Sequence, residues 1–283
     1  MPARVIVFPF DSFGNAGTGA GAKLLGDVVR EIIADTEAET RPTRQDAFRG
    51  NLSVEEFDFE TPAKLAAWRK TGRTAVKKAL AGKDFTLWLG GNHLSVLPVY
   101  DELGPTDVVV QFDAHLDVYS QHDVKTELTN GNFLRHIAGK GPRVVNVGHR
   151  DLFLTKKEID RCFTATFSAH ALATDSIPSM ADLSSIAGSG SRIWLDIDAD
   201  VFDPAVCPAV NDALPFGLSP VRFLNLFDCA WAGRVVGLSV SEFDPGRDVR
   251  ETSLNLLGWF VEWVLLRVCS DEGPASPHFP SPL

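Results

Sequence analysis

Cysteine is scarce in this chain and its positions exclude two classes of site. The four cysteines, Cys162, Cys207, Cys229 and Cys269, are widely separated, and none forms a Cys-x-x-Cys pair. Such spacing supports neither a disulfide framework nor a thiolate metal site. We therefore expect buried free thiols.

Positive charge is also in short supply. The 283 residues include 27 Lys and Arg against 37 Asp and Glu, which gives a formal net charge of −10. Nucleic acids and anionic membrane surfaces are bound through basic patches. We therefore expect no nucleic-acid or membrane partner, and a small-molecule substrate instead.

Long apolar runs, linkers and repeats are missing as well. No run reaches membrane-spanning length, and the first apolar run meets Asp11 too soon for a secretory signal, so we expect a cytoplasmic protein. With no Ser- or Gly-rich linker, residues 1–269 are predicted to form a single catalytic domain. Residues 270–283 contain four prolines and are predicted to be a loosely ordered tail.

The chain does have short apolar runs that alternate with helical patterns. The runs lack the alternation of half-exposed strands and so predict buried parallel strands, at about residues 4–10, 85–89, 107–112, 143–147, 192–197 and 235–240. The helices are predicted at Ala20–Ala34, Pro62–Ala81, Ser219–Trp231 and Glu251–Val268. This pattern indicates an α/β sheet with helices on both faces.

Three of the apolar runs end in side chains that bind metals. They lead into Gly-Gly-Asn-His-Leu-Ser at 90–95, Asp-Ala-His-Leu-Asp at 113–117 and Asp-Ala-Asp-Val-Phe-Asp-Pro at 198–204. The carboxyl ends of parallel strands meet at one sheet edge, where ligands bind in such folds. Carboxylates packed there would repel one another, whereas two divalent ions can neutralise four of them. We therefore predict a hydrolytic site with two metals; the alternative is that these residues only cap strand ends.

The types of donor favour particular ions. Asp113, His115 and Asp117 alternate, so an extended chain would place them on one side. Oxygen and imidazole donors without thiolate suit Mn²⁺, with Fe, Co or Ni possible. A Gly-rich segment at 14–21 is weakly similar to a dinucleotide loop, and a tight turn at the mouth of the site is the preferred interpretation.

These motifs resemble those of the ureohydrolase family, which includes arginase, agmatinase, guanidinobutyrase and formimidoylglutamase. The resemblance covers roughly residues 88 to 245. The segment at 90–95 looks like the family's Gly-Gly-Asp-His-Ser, and the segments at 113–117 and 198–204 match its Asp-Ala-His-x-Asp and Asp-x-Asp-x-x-Asp-Pro, in the family's order. It implies a three-layer α/β/α domain, arginase/deacetylase-like, around a mostly parallel eight-stranded sheet. It also implies a homo-oligomer, a trimer or a hexamer.

The resemblance also implies roles for individual residues. His93 and Asp117 would bind one Mn²⁺, His115 and Asp200 the other, and Asp113 and Asp198 would bridge them. A metal-bridging hydroxide would then attack the guanidinium carbon, and Asp117 would orient it and pass its proton to the departing amine. Glu242, in Ser-Glu-Phe-Asp-Pro at 241–245, matches the glutamate that holds the guanidinium. The alternative for Glu242 is a surface salt bridge or a turn.

The chain departs from the family pattern at several positions. Asn92 replaces an aspartate, and Asp196 stands where the family commonly has Ser, so Asp196 could compete with Asp198 through a register shift. Asn130 or Leu134 occupies the place of a proton-shuttling histidine, and Phe153 that of the acidic residue with which arginases recognise the α-amino group, which disfavours L-arginine. His122 and His136 lie nearby. The candidate substrate-binding residues are Asn130, Asn132, His149 and Glu242.

The sequence thus predicts a binuclear manganese hydrolase that cleaves a guanidino compound to urea and an amine, with agmatinase or guanidino-acid hydrolase as the nearest activities. Two alternatives stay open: hydrolysis of a formimino or amide substrate at the same site, and a metal-binding family member without catalytic activity. The loops near residues 11–21, 118–132 and 149–155, which would select the substrate, are where the chain departs from the family.

Overall fold

In the part of the chain that the structure describes, the strands form one sheet of eight, in which every neighbouring pair is parallel. The computed structural model describes residues 1–36, 43–48, 50–120, 127–174 and 176–269, so the tail 270–283 and His122 lie outside the described residues. The strand order is β2-β1-β3-β8-β7-β4-β5-β6. The strands are β1 (Ala3–Phe8), β2 (Leu52–Glu56), β3 (Phe85–Gly90), β4 (Val108–Phe112), β5 (Arg143–Val147), β6 (Ala165–Phe167), β7 (Ile193–Asp198) and β8 (Val235–Ser241).

All six strands predicted from apolar runs are present, and two further strands were missed. Both missed strands, β2 and β6, lie at the edges of the sheet. Every residue of both strands keeps some exposure to solvent. A strand covered on one side only needs no continuous apolar run, which explains why the apolar pattern did not reveal them.

Helices connect the strands. Their bounds are α1 (Thr18–Ala34), α2 (Arg44–Phe48), α3 (Pro62–Ala66), α4 (Trp68–Ala81), α5 (Leu97–Glu102), α6 (Phe133–Ile137), α7 (Lys156–Cys162), α8 (Ala169–Thr174), α9 (Ser176–Gly188), α10 (Pro220–Ala230) and α11 (Thr252–Cys269). The helix predicted over Pro62–Ala81 is in fact two, because the backbone leaves the helical conformation at Ala67, with φ −90° and ψ 0°. Thr61 and Ser219 cap α3 and α10 by accepting hydrogen bonds from backbone N–H groups three residues on.

Successive side chains along each strand point to opposite faces of the sheet, and they form two apolar cores, one on each face. In β1, Val5 and Val7 pack into one core and Ile6 and Phe8 into the other. The first core is completed by α1, α2 and α8–α11, and the second by α3–α7. The architecture is therefore the predicted three-layer α/β/α arrangement.

One helix, α11, is long and apolar enough to cross a membrane when only its length and composition are considered. In the structure, 44% of its 18-residue window is buried. Leu257, Val261 and Val264 belong to the first apolar core. Because the core helices of soluble proteins pass the same test, these contacts account for its composition.

The four cysteines are free thiols. Cys207 and Cys269 are buried, as expected, whereas Cys162 and Cys229 are only partly buried.

Candidate metal centre

The four central strands bring the predicted ligands to one edge of the sheet. In the order β3, β8, β7, β4, each ends in a candidate side chain: His93 opens a 3₁₀ turn after β3, Glu242 follows β8, Asp198 ends β7 and Asp113 follows β4. All four residues are at most 3% exposed. The parallel strands thus bring together residues that are up to 149 positions apart in sequence.

Two groups of side chains at this edge are each spaced to hold one ion. His93, Asp113 and Asp198 form the first group, and Asp113, His115 and Asp200 form the second. In the first, His93 Nδ1 lies 3.3 Å from Asp113 Oδ2 and 3.2 Å from Asp198 Oδ2. In the second, His115 Nδ1 lies 2.7 Å from Asp200 Oδ2. Asp113 belongs to both groups and so lies between the two ion positions.

Asp117 provides a test of whether the residues fit a cation. Its Oδ2 lies 2.9 Å from His93 Nδ1, yet both atoms are buried and neither has a hydrogen-bond partner among the described residues. Buried polar atoms are normally hydrogen-bonded, and one cation would satisfy both. Asp117 also has a φ of 49°, a left-handed conformation that is costly for a residue other than glycine. The residues fit a metal ion.

The electrostatics of these side chains point to the same conclusion. Burial, with the charges of Asp200 and Asp117, raises the pKa of Asp113 to about 7. Burial and neighbouring carboxylates also raise the pKa of Asp198 well above its usual value. Burial opposes a charge on His93, but Asp196 and the nearby aspartates raise its pKa well above the usual value. Without cations, the cluster therefore retains protons that a metal would displace.

Asp196 lies outside both ligand groups. Its fully buried carboxylate lies on the far side of the His93 ring, with Oδ2 3.0 Å from Nε2. It also accepts hydrogen bonds from Tyr100 and Ser239. Asp203, the last aspartate of the motif, is a turn residue whose carboxylate accepts the N–H groups of Ala205 and Gly217. The structure thus places Asp198, and not Asp196, in a group of side chains that could hold an ion.

Beside the ligands lies an open cavity of about 570 Å³. The lining residues are Asn15, His93, His115, Asp117, Tyr119, Asn130, Gly131, Asp198, Asp200, Asn211, Asp212, Ala213, Leu214 and Glu242. Glu242 accepts the backbone N–H of His93 at Oε1, 2.7 Å away, and the amide of Asn15 at Oε2, 3.0 Å away. Burial raises the pKa of Glu242 to about 8, although these hydrogen bonds oppose the shift. Glu242 therefore faces the cavity and is not a surface salt-bridge residue.

The candidate substrate-binding residues lie in different places. Asn130 lines the cavity, whereas Leu134 is buried in the second core, so Asn130 occupies the wall beside the ligands. The side-chain amide of Asn132 donates a hydrogen bond to the Glu127 carbonyl and accepts one from the Thr129 N–H, so it stabilises the loop.

The other described histidines lie away from this cavity. His149 lines a neighbouring cavity of about 1010 Å³, which meets the first at Leu214. His136 is exposed on α6. Phe153 is 92% exposed and lines neither of the two cavities. Among the described histidines, only His93 and His115 line the cavity beside the ligands.

Several residues of the site were missed by sequence reasoning. The Gly-rich segment was expected to border the mouth of the site, and Asn15 within it does line the cavity. Tyr119 continues the alternation of Asp113, His115 and Asp117, a signal that could have identified it. The loop at 211–214 carries no pattern of its own. Arg150 holds the second ligand group by donating hydrogen bonds to the backbone carbonyls of Asp200 and Val201.

Comparisons with known proteins find relatives that are similar to part of this chain. The mitochondrial arginase of Medicago truncatula is 30% identical over 176 residues, which cover 57% of this chain and 49% of that protein. The N(1)-aminopropylagmatine ureohydrolase of Thermus thermophilus is 28% identical over 177 residues, covering 60% and 58%. The chain thus spans about half the length of these curated relatives.

Solved structures share the fold. The agmatine ureohydrolase of Thermoplasma volcanium superimposes with a TM-score of 0.74 at 17% identity, covering 93% of this chain and 88% of that one. The arginase of Bacillus subtilis gives a TM-score of 0.71 at 18% identity, covering 94% and 98%. The sequence model of the arginase family matches residues 2–265, well beyond the 88–245 that carry the motifs. The chain belongs to the arginase family.

Proposed function

We propose that this chain is a binuclear manganese hydrolase that cleaves a linear carbon–nitrogen bond of a guanidino compound and releases urea and an amine. The observation that carries the proposal is the pair of ligand groups that meet at Asp113. One structural ion would need a closed set of ligands, whereas these groups open on a cavity. Carboxylate and imidazole donors without thiolate favour Mn²⁺, with Fe, Co or Ni as alternatives.

The charge of the cavity supports a cationic substrate. Five carboxylates line it, from Asp117, Asp198, Asp200, Asp212 and Glu242, and none of its described lining residues is Lys or Arg. Two divalent ions would balance Asp113, Asp117, Asp198 and Asp200. Glu242 and Asp212 would remain as negative charges, and a guanidinium is a cation at every physiological pH.

Glu242 would fix the plane of the guanidinium. A carboxylate and a guanidinium form paired hydrogen bonds, which set orientation as well as distance. The carboxylate of Glu242 is held at one oxygen by the His93 N–H and at the other by Asn15. Each oxygen has a further lone pair for a substrate.

Asp117 would handle the proton. Two bound ions would supply Lewis acidity and a water of lowered pKa. One oxygen of the Asp117 carboxylate would contact the ion and the other would be left for the attacking water, because the side chain lines the same cavity. It can therefore accept a proton from the attacking water and donate it to the departing amine.

We further propose that the protein is cytoplasmic, that it forms a homo-oligomer, a trimer or a hexamer, and that neither a nucleic acid nor a membrane is a partner. The net charge of −10 supports the absence of a nucleic-acid or membrane partner. The assembly is proposed from the family resemblance.

The test is urea release by Mn²⁺-loaded protein with agmatine, guanidinobutyrate, guanidinopropionate, arginine and free guanidine. Urea from one of them, lost in Asp198→Asn, would support the proposal. Release of formamide or a carboxylate from formimino or amide compounds would instead support hydrolysis of that substrate class at the same site. No turnover of any compound by protein that binds two ions would favour a non-catalytic role, for which Asn92 and Asn130 are the motivation.

A further inference from the structure

A buried network lies behind His93, on the side of the ring away from the ligand groups. At its centre is Asp196, which β-sheet register places beside Ser239 of β8. Asp196 Oδ1 lies 2.5 Å from Ser239 Oγ, and Oδ2 lies 2.7 Å from the Tyr100 hydroxyl and 3.0 Å from His93 Nε2. Asp196, Tyr100 and Ser239 are fully buried, and His93 is 2% exposed.

The direction of each hydrogen bond follows from the donors available. Trp194 Nε1 can only donate, and it lies 2.9 Å from Ser239 Oγ. Ser239 therefore accepts from Trp194 and donates its own hydrogen to Asp196. The Tyr100 hydroxyl is bonded to Asp196 as well and donates its hydrogen to the carboxylate.

This arrangement decides which nitrogen of His93 carries a hydrogen. Asp196 receives two O–H groups, so its carboxylate acts as an acceptor and His93 Nε2 must be the donor. Nδ1 is then left facing Asp113, Asp117 and Asp198, at 3.3, 2.9 and 3.2 Å. A cation among these three carboxylates would give Nδ1 the partner that it lacks.

The ring is also held by packing. Phe133 contacts His93 edge to face, with 5.2 Å between ring centroids, and contacts Tyr100 in the same way at 5.5 Å. These contacts restrict rotation of the imidazole about its χ2 angle. Hydrogen bonding and packing therefore favour the same orientation of the ring.

Two hydroxyl groups alone do not explain a carboxylate here. A buried charge is costly to desolvate, and an amide could accept a hydrogen bond from Ser239 and donate one to the Tyr100 hydroxyl oxygen at lower cost. The negative charge becomes favourable where His93 binds a cation, because a carboxylate behind a metal-bound histidine orients the ring and strengthens it as a ligand.

We propose that Asp196 is a positioning residue that directs His93 Nδ1 to the metal position formed with Asp113 and Asp198, and that Tyr100 and Ser239 hold Asp196 in place. The proposal rests on the metal pair of the proposed function and adds a determinant of metal affinity specific to one of its two positions. Asp196 touches neither substrate nor ion.

The experiment titrates Mn²⁺ into the metal-free chain and its Asp196→Asn variant, with free Mn²⁺ measured by electron paramagnetic resonance. Loss of a carboxylate behind a metal-bound histidine weakens binding by roughly 10- to 100-fold. We expect this loss for one ion of the two and little change for the other. At a free Mn²⁺ concentration that fills both positions of the unaltered chain, the variant should show the spectrum of an isolated ion instead of a coupled pair.

Asp107→Asn is the matched control, since Asp107 is also buried but pairs with Arg192 at the opposite end of β4. The Asp107→Asn variant should bind both Mn²⁺ ions with the affinities of the unaltered chain. Tyr100→Phe removes one donor to Asp196 and should weaken the same ion several-fold, which keeps the test decisive if Asp196→Asn does not fold. Unchanged Mn²⁺ affinities in a folded Asp196→Asn, or equal weakening of both ions, would overturn the role of Asp196 alone. An unaltered chain without a coupled pair would instead overturn the proposed function.

Discussion

The side-chain amide of Asn15 donates a hydrogen bond to the Glu242 carboxylate, with 3.0 Å between Nδ2 and Oε2. The same amide reaches Asp212 Oδ2 at 2.9 Å. Glu242 has a φ of 65°, so its backbone is in a conformation that the surrounding contacts must stabilise. The Gly-rich loop after β1 thus fixes a carboxylate that follows β8, 227 positions later in sequence.

Replacing Asn15 should weaken substrate binding more than metal binding. Asn15→Ala removes the hydrogen bond to Glu242 Oε2, worth about 1 kcal/mol for an amide–carboxylate pair that is partly exposed. We expect KM for the guanidino substrate to rise about five-fold with Mn²⁺ content unchanged. Steady-state kinetics and elemental analysis of the same preparation measure the two quantities.

Asn255→Ala is the control, because Asn255 is exposed on α11, outside the residues that line the cavity. It should leave KM unaltered. If Asn15→Ala had an unchanged KM, the hydrogen bond would not orient Glu242 for the substrate.

Asp212 should discriminate between substrates by their second charge. Its exposed carboxylate lines the cavity mouth and is joined to Glu242 through Asn15. An exposed charge of this kind contributes up to about 1 kcal/mol and is screened by salt. At low salt, Asp212→Asn should therefore lower kcat/KM for agmatine by a few-fold and leave or raise that for guanidinobutyrate. Equal effects on both substrates would contradict this role.

The sequence predicted the central strands and the ligands because both depend on local patterns. Buried strands such as β4 and β7 are continuous apolar runs, and their ligands follow at fixed spacings. Asp113 and Asp200 could thus be identified as candidate ligands without knowledge of the fold.

Residues that depend on distant contacts could not be predicted in this way. The role of Asp196 requires knowledge that Tyr100 of α5 and Ser239 of β8 pack beside it, which sequence spacing does not contain. Asn15 and Asp212 act through contacts between loops, and loops have no periodicity. The left-handed conformations of Asp117 and Glu242 are likewise set by tertiary structure.

Replacing Asp113 should weaken the binding of both metal ions, whereas replacing His115 should weaken the binding of one. Asp113 belongs to both ligand groups and His115 only to the second. Asp113→Ala should therefore lose most of both ions, and His115→Ala should retain about one of the two, as measured by elemental analysis after dialysis. Asp203→Asn serves as control, since Asp203, in the motif at 198–204, accepts hydrogen bonds from the backbone N–H groups of Ala205 and Gly217 and lies outside both ligand groups. Two ions retained in Asp113→Ala would refute the assignment.

The metal-free protein should lose stability as pH rises. Burial raises the pKa of Asp113 from 3.8 to about 7 and that of Glu242 from 4.5 to about 8. Between about pH 4 and about pH 8 the folded chain therefore holds protons that the unfolded chain has released, so the free energy of unfolding falls with pH. Burial lowers the pKa of His115, but its ion pair with Asp200 outweighs this and raises it from 6.5 to about 10. The ion pair of protonated His115 therefore stabilises the folded chain fully below pH 6.5, the pKa of this histidine in the unfolded chain, and this stabilisation is lost as pH rises through about 10.

Manganese should reverse this trend, because the ions replace the protons that the carboxylates and histidines hold. Metal binding then releases protons and strengthens as pH rises. The increase in Tm on adding Mn²⁺ should therefore grow from about pH 6 to about pH 8.5, measured by thermal denaturation with Mn²⁺ or with a chelator in matched buffers. Asp113→Asn cannot hold this proton as a carboxyl, so the Tm of the metal-free variant should fall less as pH rises. A Tm increase that is constant across this range would mean that the cluster is already ionised without metal, so that repulsion among its carboxylates is relieved by something other than protons.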